Sequence, residues 1–259
     1  MTDYLDILAN SARCSIEEGC YRTETGVNAP RLSLKNAILR CARAPIISEV
    51  KFASPSKGAI RGSRDLERVV DEMERGGAIG LSILTEPKHF KGDIEFIAKV
   101  RGRVKVPILM KDIILDRLQV ESARKIGADA VLLIQTLFDR GYPKEPAQYL
   151  IDYAHSRGLE VLLEVHTDDE FRSALRTSAD MIGINNRDLK TLQVDLETTK
   201  RVLASHHAEG EVIVSESGVN IPEDIRYLRR CGAQAFLVGS SIMEADDVKE
   251  KVRTLVEAL

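Results

Sequence analysis

Apolar residues along this chain fall into short runs of two kinds. In the first kind an apolar stretch closes on charged side chains: Pro45-Ile46-Ile47-Ser48-Glu49-Val50-Lys51, Val106-Pro107-Ile108-Leu109-Met110-Lys111-Asp112, Val161-Leu162-Leu163-Glu164-Val165 and Glu211-Val212-Ile213-Val214-Ser215-Glu216-Ser217-Gly218. These four recur at roughly 50-residue spacing, the self-similarity expected of a repeated supersecondary unit. The second kind lies between them: Gly77-Ala78-Ile79-Gly80-Leu81-Ser82-Ile83-Leu84, Gly127-Ala128-Asp129-Ala130-Val131-Leu132-Leu133-Ile134, Ala179-Asp180-Met181-Ile182-Gly183-Ile184-Asn185 and Gly232-Ala233-Gln234-Ala235-Phe236-Leu237-Val238-Gly239. Each reads as a helix stop, a short turn and a buried strand. Interleaved, the two kinds give eight strands.

Stripes with helical spacing separate them: Leu66, Val69, Val70 and Met73; Tyr149, Leu150, Tyr153 and Ala154; Ile221, Ile225 and Leu228; Val248, Val252, Leu255 and Val256. Eight apolar strands alternating with helices imply a parallel sheet covered by helices, and the number of strands favours closure into a (β/α)8 TIM barrel. Ahead of the first strand, Leu5, Ile7, Leu8, Ala12 and Ile16 predict one helix, and Leu32, Leu34, Ala37 and Ile38 a second. This makes residues 1–44 a helical extension on a barrel over 45–259, a decoration of one domain that packs outside the barrel or over one of its ends. Barrel enzymes carry their chemistry at the C-terminal ends of the strands, where the charged closures fall.

Composition narrows the partners. The chain has 259 residues, ample for one barrel, and its net charge of −3 offers no basic field for nucleic acid. Cys14, Cys20, Cys41 and Cys231 form no CxxC pair or zinc spacing and read as reduced thiols. No run approaches a membrane span, and Met1-Thr2-Asp3-Tyr4 lacks the basic start of a signal peptide, so a cytoplasmic location is expected.

The loop Phe52 to Gly62 is long and rich in turn formers, either a solvated connection or a mobile cover with Ser54 and Lys57 in reach of an anion. The next loop brings Phe90 toward the same mouth, while His89 is given no role. Lys111 and Asp112 are adjacent, so one of them faces the mouth. The uncharged fourth strand supplies apolar wall through Leu133 and Ile134. After the sixth strand, Asn185-Asn186-Arg187-Asp188-Leu189 is either an Asn-rich turn with Asp188 as a helix cap, or an amide and a guanidinium aimed at substrate. Small-residue turns follow the last two strands, Ser215-Glu216-Ser217-Gly218-Val219 and Val238-Gly239-Ser240-Ser241. Many barrels bind phosphate there, which makes a phosphate ester the favoured ligand.

Closure would gather Glu49, Lys51, Lys111, Glu164, Asn185, Arg187 and Glu216 at one rim, where carboxylates and lysines shift one another's pKa values toward acid and base work. His155, His166, His206 and His207 are scattered or on predicted helices and form no ligand set, so metal-free chemistry is expected. No GxGxxG follows a strand and no P-loop is present, so neither a dinucleotide nor ATP is indicated.

The stretches Glu49-Val50-Lys51-Phe52-Ala53-Ser54-Pro55-Ser56-Lys57-Gly58, Leu84-Thr85-Glu86, Leu109-Met110-Lys111-Asp112, Gly183 to Leu189 and Ser215-Glu216-Ser217-Gly218 closely resemble the indole-3-glycerol-phosphate synthase family of tryptophan biosynthesis. The E-x-K-x-x-S-P-S signature is specific, and the resemblance covers essentially the whole chain. It implies conversion of 1-(2-carboxyphenylamino)-1-deoxyribulose 5-phosphate to indole-3-glycerol phosphate with release of CO2 and water, using neither metal nor organic cofactor. By resemblance Lys111 is the acid of ring closure, and Glu164 and Lys51 share the remaining acid and base work. Glu49, Asn185 and Glu216 would orient these groups and bind substrate hydroxyls. Ser54, Phe90, Arg187, Leu189 and Ser217 would contact substrate, and Lys51, Gly218, Gly239 and Ser240 would hold its phosphate. Ile113 stands where the family usually has Phe, which points to a slightly different aromatic pocket. Other tryptophan-pathway enzymes are potential partners. The competing readings are another phosphate-binding barrel enzyme, an isomerase or a Schiff-base lyase using Lys111 or Lys51, and a non-catalytic barrel.

Overall fold

The computed structural model describes residues 3–54, 58–59, 65–204 and 210–259. Its eight barrel strands are β1 (Ile46–Val50), β2 (Gly80–Leu84), β3 (Ile108–Lys111), β4 (Ala130–Ile134), β5 (Glu160–Val165), β6 (Met181–Asn185), β7 (Ile213–Glu216) and β8 (Ala235–Val238). Each pairs in parallel with its sequence neighbours, and β1 closes the ring on β8 through Ile46 opposite Phe236. A short antiparallel ribbon, Ala53–Ser54 with Gly58–Ala59, follows β1. The expected TIM barrel is therefore what the chain forms.

The strand period of two sorts the apolar residues into two cores. Side chains such as Val50, Ile83, Met110, Leu133, Leu163, Ile184 and Phe236 join the apolar faces of the surrounding helices. Their alternates, including Ile47, Leu109, Leu132, Leu162, Met181, Val214 and Leu237, fill the barrel interior. Among the covering helices, α3 (Leu66–Arg75) buries Leu66, Val69, Val70 and Met73, and α12 (Val248–Val256) buries Val248, Val252, Leu255 and Val256. Each such side chain contributes about 1.5–3 kcal/mol relative to exposure. The other predicted stripes need trimming. Ile7, Tyr149 and Ile221 are exposed, because each lies just off the apolar arc of its helix or at its start.

The extension covers both ends of the barrel. Its first helix, α1 (Tyr4–Glu17), begins in a capping box between Asp3 and Asp6 and buries Leu5, Leu8, Ala9 and Ala12 over the C-terminal mouth. Arg140 pins that helix start by donating to Asp3 and Asp6, each at 2.7 Å. Between the two helices the segment runs down the barrel wall, with Thr23 donating to Glu95 and the Val27 N–H to the Lys125 carbonyl. The second helix, α2 (Leu34–Leu39), plugs the opposite end. There Glu160, at the start of β5, accepts the N–H groups of Leu34 and Lys35, and Leu34 and Ile38 enter the interior core. Beside it Asp129 accepts the N–H groups of Leu32 and Ile108 and pairs with buried Arg101 at 2.7 Å. No helix among the described residues is long and apolar enough to cross a membrane.

Candidate active site

The odd strands β1, β3, β5 and β7 each end in an inward charged residue, Glu49, Lys111, Glu164 and Glu216. Space for them comes from glycines on the even strands. A Cβ on Gly183 of β6 would overlap Glu216 Oε1, and one on Gly239 after β8 would stand 2.5 Å from Glu49 Oε1. Gly183→Ala should therefore displace the Glu216 carboxylate while leaving the surrounding core intact. The expected outcome is a kcat loss of up to about 100-fold with little change in melting temperature. Steady-state kinetics beside a thermal melt checks it; unchanged kcat would mean that this close fit is unimportant.

Lys111 is the hub. Its ammonium donates to Glu216 Oε2 at 2.6 Å and to Glu164 Oε2 at 3.2 Å. On the other oxygen of Glu164, Asn185 Nδ2 donates at 3.0 Å. Lys51 lies across the mouth, paired with Glu49 at 3.0 Å. The choice between Lys111 and Asp112 is thus resolved: Lys111 points inward, while Asp112 accepts hydrogen bonds from Tyr21 (2.8 Å) and Thr85. Burial raises the Asp112 carboxyl to about 6 in spite of those donors.

Burial opposes charge on Lys111, Glu164 and Glu216, and the neighbours decide the result. For Lys111 the charges of Glu216, Glu164 and Glu49 outweigh burial and hold the ammonium protonated far above its ordinary range. Burial would also raise Glu164, but Lys111, His166 and the Asn185 amide outweigh it and keep the carboxyl well below the usual range. Glu216 goes the other way. Burial and the nearby Glu164 charge exceed the pull of Lys111 and push it up to about 7. Two neighbouring carboxyls with diverging affinities for a proton can divide acid and base roles.

The cluster lies in a cavity of about 530 Å³ whose wall includes Leu5 and Leu8 of α1, Leu84, Phe90, Ile113, Ile134, Arg187 and Leu189. At its other side are the two small-residue turns with Ser217, Gly218, Gly239 and Ser240. Ser217 has φ +64 and Gly218 φ +92, a left-handed pair held by Asn186 Nδ2 donating to the Ser217 carbonyl at 3.1 Å. Ser241 Oγ donates to the Val219 carbonyl at 2.9 Å and ties one turn to the other. Arg187 lines the cavity and donates to the Leu192 carbonyl at 2.9 Å. Asp188 caps no helix: it accepts from the Lys190 and Thr191 N–H groups in a local turn, and the next helix, α9 (Glu197–Ala204), starts well beyond it.

Of the residues anticipated from sequence, Lys111, Glu164, Lys51, Glu49, Asn185, Glu216, Phe90, Arg187, Leu189, Ser217, Gly218, Gly239 and Ser240 all line this one cavity. The side chain of Ser54, and Lys57, His206 and His207 entirely, lie outside the described residues. Leu5 and Leu8 were anticipated only as helix-face residues. His166 looks scattered in the sequence, yet its Nε2 stands 3.3 Å from Glu164 Oε1. The signal was available: it follows Glu164 by two positions at a strand end, so both side chains leave on one face. Among the described residues no group of three or more His, Cys, Asp and Glu is arranged to hold a metal ion.

The family model described as indole-3-glycerol phosphate synthase matches residues 5–255. The indole-3-glycerol phosphate synthase of Methanocaldococcus jannaschii is 44% identical over 230 residues, covering 87% of this chain and 84% of its own length. That of Methanopyrus kandleri is 41% identical over 257 residues and 98% of each chain. Among solved structures, the N-acetylmannosamine-6-phosphate 2-epimerase of Clostridium perfringens superposes with a TM-score of 0.62, covering 83% of this chain and 93% of its own. At 15% identity that likeness concerns the fold alone.

Proposed function

The chain belongs to the indole-3-glycerol phosphate synthase family, and on that premise we propose how its residues divide the work of ring closure, decarboxylation and dehydration. The observation that carries the proposal is the Lys111 ammonium held between Glu164 and Glu216 inside a cavity bordered by two small-residue turns. Those turns, with Lys51, take the substrate phosphate, and the sugar chain then reaches across the mouth toward Lys111. The anthranilate ring lies against the apolar wall of Leu8, Phe90, Ile113 and Ile134.

Ring closure joins the carboxylate-bearing aromatic carbon to the ketone carbon, and Lys111 gives its proton to the oxygen that would otherwise become an alkoxide. The bond to the carboxylate then breaks, CO2 leaves, and its electron pair restores the aromatic ring. Dehydration follows: the hydroxyl leaves as water with a proton from an acid, while a base removes the proton from the carbon beside nitrogen. Glu164, held ionised, is suited to be that base. Lys51, paired with Glu49 across the cavity, is suited to be the acid. Asn185 and Glu49 orient these two, and Glu216 holds Lys111 while binding a substrate hydroxyl.

The pairing of the Lys111 ammonium with both Glu164 and Glu216 favours a proton donor at this position over the free amine of a Schiff-base lyase. Contacts of the extension at both barrel ends support reading residues 1–259 as one functional domain, and the four free thiols support a reducing, cytoplasmic location. The test is an assay with 1-(2-carboxyphenylamino)-1-deoxyribulose 5-phosphate in the presence of EDTA, following indole fluorescence. The protein contains no tryptophan, so background is low. Turnover is expected. A folded protein that binds this substrate without converting it would refute the assignment.

A further inference from the structure

We infer that His166, which does not line the substrate cavity, is a positioning residue that keeps Glu164 ionised at the moment Lys111 gives its proton to the substrate. The inference rests on the reading of Lys111 as acid and Glu164 as base. Its starting point is a weakness of that arrangement. Glu164 is buried, and its main cation is Lys111. Once Lys111 has handed over a proton it is neutral, and Glu164 would lose its counter-charge just before it has to act as a base. Burial alone would then make it take up a proton from any available source.

His166 supplies a second cation on the opposite side. Its Nε2 is 3.3 Å from Glu164 Oε1, the same oxygen that accepts from Asn185, while Lys111 engages Oε2. The ring is anchored from behind. Its Nδ1 lies 3.5 Å from Glu170 Oε2 and 3.5 Å from Thr136 Oγ1, and Thr136 itself donates to Glu170 at 2.8 Å. Glu170 also accepts the His166 backbone N–H at 2.7 Å, so the carboxylate fixes both the chain and the ring. The charged groups facing the imidazole are thus Glu164 from β5 and Glu170 from α8 (Asp168–Ala174), with Thr136 from α6 (Gln135–Asp139). Burial disfavours the imidazolium, but these two carboxylates outweigh it and raise its pKa to about 9. His166 lines a neighbouring cavity and is not among the residues that line the one holding Lys111.

The test compares His166→Ala and His166→Gln with the wild type in kcat and kcat/KM across pH. His166→Ala should lower kcat about 10- to 100-fold, in the range usual for groups that orient a reacting side chain. KM should change little. The acidic limb of the kcat profile should move up by about one pH unit or more, so that activity recovers as pH rises. His166→Gln keeps a polar side chain of similar size without the charge: it should regain part of kcat but keep the displaced limb. A merely structural role would lower activity evenly across pH. Glu164→Gln serves as the control for the underlying reading. If it is inactive while both His166 variants keep a wild-type profile, the role of His166 is overturned and the base assignment stands. If Glu164→Gln turns over normally, the base assignment itself fails, and the inference falls with it.

Discussion

Lys111→Ala is expected to lower kcat by about a thousand- to ten-thousand-fold, because it removes both the proton donor and the positive charge that meets the developing alkoxide. KM should stay near the wild-type value, since phosphate and ring are held by other residues. The variant should still fold. Removing a lysine from between two buried carboxylates ordinarily leaves an uncompensated charge. Here Glu216 already sits near pH 7 and can take up a proton, and His166 still faces Glu164. The cost should vary with pH in a defined direction. A carboxyl whose folded pKa is raised contributes stability below its unfolded pKa and loses it as pH rises through the folded value. Loss of Lys111 raises Glu216 further, so the deficit in melting temperature should grow from pH 5 to pH 8. A deficit that stayed constant over that range would mean Glu216 is ionised throughout.

Glu164→Gln should lose about a hundred- to ten-thousand-fold in kcat, through loss of the base and through a rearranged hub. The amide presents its own N–H2 where Lys111 now finds an acceptor, so the ammonium should turn wholly to Glu216. That carboxyl loses the neighbouring Glu164 charge, one of the causes that raises it, and should titrate lower. The acid stability should change as well. Glu164 is depressed in the folded protein, so its contribution is present above its unfolded pKa and lost as pH falls toward the folded value. Glu164→Gln should therefore show a shallower loss of stability on acidification than the wild type. An acid unfolding curve of the wild-type slope would show that this carboxylate is not the stabilised one.

The barrel was legible because two periodicities agreed. The apolar runs recur through the whole chain, and their charged endings fall on the odd strands, whose inward positions make up the site. Motif residues such as Lys111 and Asn185 belong at the mouth on the sequence alone, because the end of a strand determines where they point. The relations between them were not legible. Nothing in the order of residues says that Glu216 and Glu164 share Lys111 yet move in opposite directions, since that depends on burial and on which oxygen each donor reaches. Gly183 looked like a strand residue, and its reason, the space it leaves for Glu216, exists only across two strands. The sequence predicts an extension over the outside or one end of the barrel. It covers both ends, because α1 and α2 are separated by an extended segment long enough to run down the wall.

The division of roles turns on where the substrate ketone lies. A crystal structure with the analogue in which that ketone is reduced to an alcohol would locate it, because the analogue cannot close the ring. The expected result is the alcohol oxygen within about 3 Å of Lys111 Nζ, a hydrogen-bonding distance, with the phosphate on the turns of Ser217-Gly218 and Gly239-Ser240. An analogue bound with that oxygen against Lys51, and Lys111 still closed between Glu164 and Glu216, would contradict the assignment of Lys111 as the acid of ring closure.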